Sequence, residues 1–238
     1  MTIDIRINDA LDAQALGAAY RAKGRLQIPN FLAEDAAEAL HDALQKNRTW
    51  YLAYNNGEEY VESALAEIQG LAQPQRQQFF RQINERAGVQ FQYCFIQYYV
   101  TEAVKRGDNE GHPLHAAHHF LNDEACLGFM RALTGEPDIQ YADALASLYS
   151  RGHFLTDHDD THGDRDRVAA YVISMTKDWN RNWGGHLAFF DKCGNIEEAF
   201  LPTFNTLNIF RVPQSHSVQA VTPFARGART SVTGWLHR

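Results

Sequence analysis

Two histidines, one aspartate and one arginine are the residues of this chain best suited to act together. His158-Asp159-Asp160 contains a His-x-Asp pair, His216 follows far downstream, and Arg229 lies beyond it. Two imidazoles and one carboxylate are the facial ligand set of non-haem Fe(II) sites, which leaves positions open on the metal. A fixed guanidinium makes a two-pronged, charge-assisted pair with a carboxylate. The pattern therefore predicts a site in which Fe(II) works on O2 beside an acidic cosubstrate.

Spacing selects among rivals. Residues i and i+2 of an extended segment project to one side. That predicts His158 and Asp160 as ligands while Asp159, a rival by residue type, turns away. His216 opens a predicted strand in Val212-Pro213-Gln214-Ser215-His216-Ser217-Val218. The same period of two puts Arg229 and Ser231 on one face of the last strand, a guanidinium and a hydroxyl suited to the distal carboxylate of 2-oxoglutarate. The α-keto acid end of that molecule would chelate the iron. Arg226 is a rival anchor, but it falls in the predicted turn Phe224-Ala225-Arg226-Gly227-Ala228. Tyr149 has two readings: a phenol donating to the same carboxylate, or a core tyrosine with a satisfied hydroxyl.

A second group of histidines, His112, His115, His118 and His119, competes for a metal. His115 and His119 share a helix face, yet the nearest carboxylate, Asp123, lies outside the run. Helix caps or solvent-facing residues are the plainer reading of this cluster.

Placing the four principal residues requires strands. From about Ile139 onward the chain reads as strands over 139–149, 167–175, 186–190, 206–212, 217–221 and 228–237, separated by Gly, Pro and Asn. Many short strands without helices between them predict an antiparallel sandwich or barrel. The first half reads differently. Helices are predicted over 10–23, 33–47, 75–86 and 124–134, with Ala36, Leu40 and Leu44 forming one apolar face in the second. Leu26-Gln27-Ile28 and the run from Val89 to Val100 are strand candidates, and residues 105–113 a polar loop. The predicted fold is mainly β with α, a double-stranded β-helix (jelly roll, cupin-like) flanked by N-terminal helices. It is read as one domain over 1–238, with 1–137 as support and 138–238 as the core bearing the site.

Composition excludes several function classes. A formal net charge of −7, without a long basic run, disfavours direct nucleic-acid binding. No apolar stretch approaches a membrane span and no signal peptide is apparent. Cys94, Cys126 and Cys193 are widely spaced and include no C-x2-C pair, so reduced thiols in a cytoplasmic protein are expected.

Several phrases together resemble the prolyl hydroxylase branch of the Fe(II)/2-oxoglutarate-dependent dioxygenases. They are His158-Asp159-Asp160, Trp179 with Gly184-Gly185-His186-Leu187, and Leu201 through Leu207. Phe210-Arg211-Val212, His216-Ser217-Val218 with Val221, and Arg229 through His237 continue the series. The likeness is strongest to the catalytic domain of the enzymes that hydroxylate a proline in a small-subunit ribosomal protein. It covers the last hundred residues or so; the first half agrees in general layout. It implies iron at His158, Asp160 and His216, and 2-oxoglutarate at Arg229 with Tyr149 and Ser231 as helpers. It also implies O2 as cosubstrate, ascorbate as a candidate reductant, and hydroxylation of a C–H bond with release of succinate and CO2. The eukaryotic ribosomal enzymes carry a second, degenerate oxygenase domain, whereas this sequence stops at Arg238, so only the catalytic half is expected. Asp160 favours hydroxylation over halogenation, because related halogenases lack the carboxylate.

The expected substrate is a prolyl residue in a protein or peptide. A small-molecule hydroxylase and a non-catalytic metal-binding domain are the alternatives. Trp179 to Gly185 is read either as a lid over the site or as a packed turn. The segment 48–60, with Trp50, Tyr51, Tyr54 and Tyr60, is read as an aromatic strand or a substrate contact.

Overall fold

Local signals set the helices of the first half. The Asp12 side chain accepts the amides of Gln14 and Ala15, and Gly24 at φ 71° ends the helix, so α1 runs Ala13–Lys23. The computed structural model describes residues 3–161 and 166–238. After α1 come β1 (Arg25–Pro29), α2 (Glu34–Lys46), β2 (Tyr51–Asn56), β3 (Glu59–Ala64), α3 (Leu65–Gly70) and α4 (Gln73–Ala87). The chain continues with β4 (Tyr93–Tyr98), α5 (Val100–Arg106), α6 (His115–Leu121) and α7 (Glu124–Thr134). The apolar face predicted for α2 is buried at Ala36, Leu40 and Leu44. The second half contains β5 (Tyr141–Ala142), β6 (Leu145–Tyr149), β7 (Phe154–His158), β8 (Arg167–Ser174) and β9 (Leu187–Phe190). It closes with β10 (Ile196–Phe200), β11 (Thr206–Arg211), β12 (His216–Val218) and β13 (Arg229–His237).

Several expectations need correction. The strand expected over 89–100 is trimmed to β4, because Val100 already begins α5. Lys105 and Arg106 belong to that helix as well, so the polar loop is shorter than predicted. The segment 48–60 is not one strand: β2 turns at Gly57 and pairs with β3 from Tyr51↔Ala64 to Asn56↔Glu59. The strand expected over 139–149 breaks into β5 and β6. β7 and β10 form where the sequence carries no clear alternation.

All strand pairings are antiparallel, in the order β1-β11-β8-β13-β6-β4-β7-β12-β9-β10, with β2 and β3 added beside β4 and β5 beside β13. The path folds over as two facing sheets, a jelly roll. Alternation along the strands sorts the core. Ala169, Tyr171 and Ile173 of β8 join Leu207, Ile209, Val232 and Leu236 against the helices. Ala170 and Val172 face the other way, onto Leu187, Phe189, Phe200 and Phe210 between the sheets. Being covered on both faces explains why β8 reads as an almost unbroken apolar run.

The two ends of this path, β1 and β10, are joined by side chains. Arg25 is 7% exposed and donates Nε to Glu198 and Nη2 to Glu197, each at 2.7 Å. Its guanidinium lies 4.9 Å from the centre of the Phe189 ring. Gln27 adds a hydrogen bond to the Leu201 carbonyl at 3.2 Å. The barrel is thus drawn nearly shut by charge-assisted bonds where backbone pairing stops.

Candidate metal centre and anion pocket

Strand register brings the two histidines together. His216 on β12 is the pairing partner of His158 on β7, and their ring centres are 4.1 Å apart. His158 Nδ1 lies 3.0 Å from the Thr156 carbonyl, and His216 Nδ1 lies 2.7 Å from that of Gln214. With each Nδ1–H donating to a carbonyl, each Nε2 keeps its lone pair for the site. Asp160 closes the group, with Oδ1 3.3 Å from His158 Nε2 and Oδ2 3.4 Å from His216 Nε2. The three donor atoms lie within 4.8 Å of one another.

Asp160 arrives by a route that strand periodicity did not predict. β7 ends at His158, and Asp160 has φ 63°, in the left-handed region. The period-two argument picked two residues that the structure does bring together, but by a different geometry, since the extended segment stops before Asp160. A left-handed residue redirects the chain, and Asp tolerates that conformation better than most side chains. Asp159 is exposed and accepts the Thr161 amide at 2.9 Å, outside the donor group.

Electrostatics fit a cation here. Burial and the neighbouring His158 push His216 down to about 4, so its imidazole is neutral at physiological pH. Burial opposes charge on Asp160, but the bond from His158 and the field of His216 hold its carboxyl below the usual range. For His158 burial again opposes charge, and contact with Asp160 outweighs it, raising the pKa. A metal bound at this nitrogen would compete with protonation there.

The anion pocket lies on the facing sheet. Arg229 pairs in register with Tyr149, and Ser231 with Ser147, across β13 and β6. Arg229 is 3% exposed and donates Nη1 to the Gly185 carbonyl at 3.1 Å, while its Nε has no partner. Its guanidinium is 5.2 Å from the centre of the Tyr149 ring. Burial draws its pKa below the ordinary value. No carboxylate among the described residues pairs with it. A buried guanidinium without a counter-ion costs several kcal/mol, so a carboxylate ligand fits this site. Ser231 Oγ lies 2.8 Å from Ser147 Oγ, leaving hydroxyl valence for an anion. The triad, Arg229, Tyr149 and Ser231 line one cavity of about 100 Å³.

Other predicted sites separate from this cavity. Arg226 is exposed in the loop before β13. His112 contacts Asn47 at 3.1 Å, His115 contacts the Tyr98 hydroxyl at 2.9 Å, and His118 contacts Thr101 at 3.1 Å. Those three histidines are tied to side chains of neighbouring elements. Asp123 caps α7 through the Ala125 amide. Trp179 is buried, donates to the Gly184 carbonyl at 3.0 Å and packs edge-on against Trp183. The 179–185 segment is therefore a packed turn, and it delivers the Gly185 carbonyl to Arg229. Gly184 has φ 71°, and a Cβ there would meet the Ala220 oxygen at 2.1 Å, so glycine is required.

Three pocket neighbours were missed from sequence. Trp235 continues the Arg229-Ser231-Thr233 face of β13 into the cavity, which period-two alternation already implied. The Phe91 ring lies 5.4 Å from that of His158, just before β4 begins. Arg167 approaches Asp160 from β8. Nothing local marked Phe91 or Arg167.

The fold and this donor set together are what a metal-dependent oxygenase site would require. Residues 144–237 match the model of the 2OG-Fe(II) oxygenase superfamily, a segment that includes all six predicted site residues. The superfamily is named for 2-oxoglutarate and Fe(II), and the group formed by His158, Asp160 and His216 could hold a metal ion. Prolyl 3-hydroxylase sudestada1 of Drosophila melanogaster is 30% identical over 110 residues, 42% of this chain and 20% of that protein. The chain therefore spans about a fifth of the length of that curated relative. A Pseudomonas putida prolyl-4-hydroxylase shares the fold, with a TM-score of 0.58 at 16% identity over 95% of this chain and 99% of the other. So does a Trichoplax adhaerens prolyl hydroxylase solved with a hypoxia inducible factor peptide fragment, with a TM-score of 0.60 at 16% identity over 94% and 88%.

Proposed function

We propose that this protein hydroxylates a prolyl residue in a protein or peptide. His158, Asp160 and His216 would hold Fe(II), and Arg229 the distal carboxylate of 2-oxoglutarate. Tyr149 faces the same carboxylate with a phenol for which no hydrogen bond is seen among the described residues, and Ser231 offers a second hydroxyl. When bound, iron and 2-oxoglutarate supply the oxidation: one atom of O2 leaves in succinate, released with CO2, and the other enters a substrate C–H bond.

The rest is the work of this chain's side chains. The Thr156 and Gln214 carbonyls fix both imidazole tautomers. Arg229 would hold the cosubstrate by its distal carboxylate in the cavity it shares with the triad. The apolar lining from Phe95, Leu155, Leu187, Phe210 and Val218 keeps bulk water from the reacting groups.

One observation carries the peptide reading. Solvent-facing aromatic surface reaches a metal-binding side chain: Phe91 is 44% exposed and lies 5.4 Å from His158. Tyr60, 52% exposed, is linked to Phe91 through the buried Tyr93, which lies 5.7 Å from Phe91 and 6.4 Å from Tyr60. Aromatic faces at an open rim suit a proline ring presented on an extended peptide. The Drosophila relative, named for prolyl 3-hydroxylation, supports the same residue type. A reducing, cytoplasmic setting is part of this proposal, supported by three free cysteines, two of them buried.

The test is anaerobic reconstitution with Fe(II) and 2-oxoglutarate, then exposure to O2 with proline-bearing peptides. Succinate release should match the gain of one oxygen atom by the peptide, and replacing the target proline should abolish it. Coupled turnover of a free amino acid or metabolite, with none on any peptide, would transfer the assignment to a small-molecule hydroxylase.

A further inference from the structure

The left-handed backbone at Asp160 is bracketed by two residues outside the triad. Arg167 Nη1 donates to the Asp160 carbonyl at 3.1 Å. The same guanidinium lies 3.7 Å from the centre of the Trp235 ring, within stacking distance. Trp235 lines the same cavity as Asp160, and its Nε1 is buried without a hydrogen-bond partner. One jaw thus holds the Asp160 backbone, and the platform of that jaw faces its side chain.

We infer that Arg167 is a positioning residue for the third metal ligand, with Trp235 as its platform. The inference rests on His158, Asp160 and His216 being metal ligands. His158 and His216 each sit on a strand and are aligned by pairing. Asp160 lies past the end of β7, in a backbone conformation that side-chain-bearing residues disfavour. The carboxylate comes within 3.3–3.4 Å of both imidazoles with Asp160 in this left-handed conformation, not on the strand itself. The planar guanidinium suits this role because it accepts a stack on one face and still donates in its plane. Lysine has no such plane, so it would hold the carbonyl without the platform.

The proposal is tested by a metal titration of apoprotein that needs no turnover. Mn(II) binding is followed by electron paramagnetic resonance and Co(II) binding by visible absorption, beside thermal unfolding of each apoprotein. Arg167→Leu should weaken Mn(II) binding about 10- to 100-fold, the range for outer-sphere partners of metal ligands, and alter the Co(II) bands. Arg167→Lys should recover part of the loss. The decisive comparison is a double-mutant cycle. In an Asp160→Ala background, where the ligand is gone, Arg167→Leu should cause no further loss. An equal loss in both backgrounds would mean a general structural role and would overturn the proposal, as would unchanged Mn(II) affinity in Arg167→Leu. Should Arg167→Leu fail to fold, Arg167→Lys and Trp235→Phe carry the same comparison. If Asp160→Ala itself leaves metal affinity intact, the ligand assignment fails, and that outcome is separate from failure of the bracket.

Discussion

His158 and His216 are register partners on adjacent antiparallel strands, with ring centres 4.1 Å apart. Cross-strand neighbours are the closest side chains a sheet offers. The pairing of β7 with β12 is therefore what turns two sequence-distant imidazoles into one donor set.

The first prediction follows from that dependence. His216→Ala and Asp160→Ala should each abolish coupled turnover and weaken Mn(II) binding by at least about 10-fold. Apoprotein circular dichroism should be retained. Metal binding unchanged by both substitutions would remove these residues from the metal site.

Arg229 should separate binding from stability. Arg229→Met removes charge-assisted bonds to the cosubstrate, worth about 2–3 kcal/mol, or roughly 30- to 150-fold in 2-oxoglutarate affinity. The apoprotein should be no less stable, because a buried charge without a counter-ion is replaced by an apolar side chain. Exposed Arg226, changed to Ala, should alter neither quantity. Calorimetric titration and thermal melts read both effects, and a 2-oxoglutarate defect in Arg226→Ala instead would relocate the anchor.

Barrel closure gives a purely structural prediction. Arg25→Met leaves Glu197 and Glu198 without their shared partner and should cost about 1–3 kcal/mol of unfolding free energy. Chemical denaturation measures it. A loss below about 0.5 kcal/mol would show that the Arg25 bridge contributes little to holding the barrel mouth together.

Acid sensitivity should trace in part to His153. Burial pushes it down to about 4, and its Nδ1 accepts the Ser150 amide at 3.2 Å. Above the unfolded pKa, near 6.5, both states are neutral and folding gains nothing from pH. Between about 6.5 and 4 the unfolded chain binds the proton and the folded one resists it, so stability falls as pH falls. The loss from pH 7 to pH 5 should be about 2 kcal/mol. His153→Asn, which retains a side-chain acceptor, should flatten that slope in denaturation curves.

Much of this architecture was legible in the sequence alone. β8, β11 and β13 announced themselves by β-rich runs between turn residues, and α7 by the Gly135 that stops it. Those signals are local: a cap or an alternating run involves residues that stay neighbours in any fold. Pocket facing for Arg229 and Ser231 was equally local, since period two holds wherever the strand pairs. The donor types were also written in the chain, because ligand chemistry depends on residue identity.

Asp160 marks the limit. Its residue type and spacing suggested a ligand, but the left-handed turn that aims it depends on surroundings such as Arg167 and Trp235, supplied by β8 and β13. The bonds that occupy His112, His115 and His118, the orphaned Nε of Arg229 and the Arg25 bridge across the barrel mouth likewise needed the folded chain. Each depends on which distant groups become neighbours and which become buried. Those are properties of packing, and no window of sequence contains them.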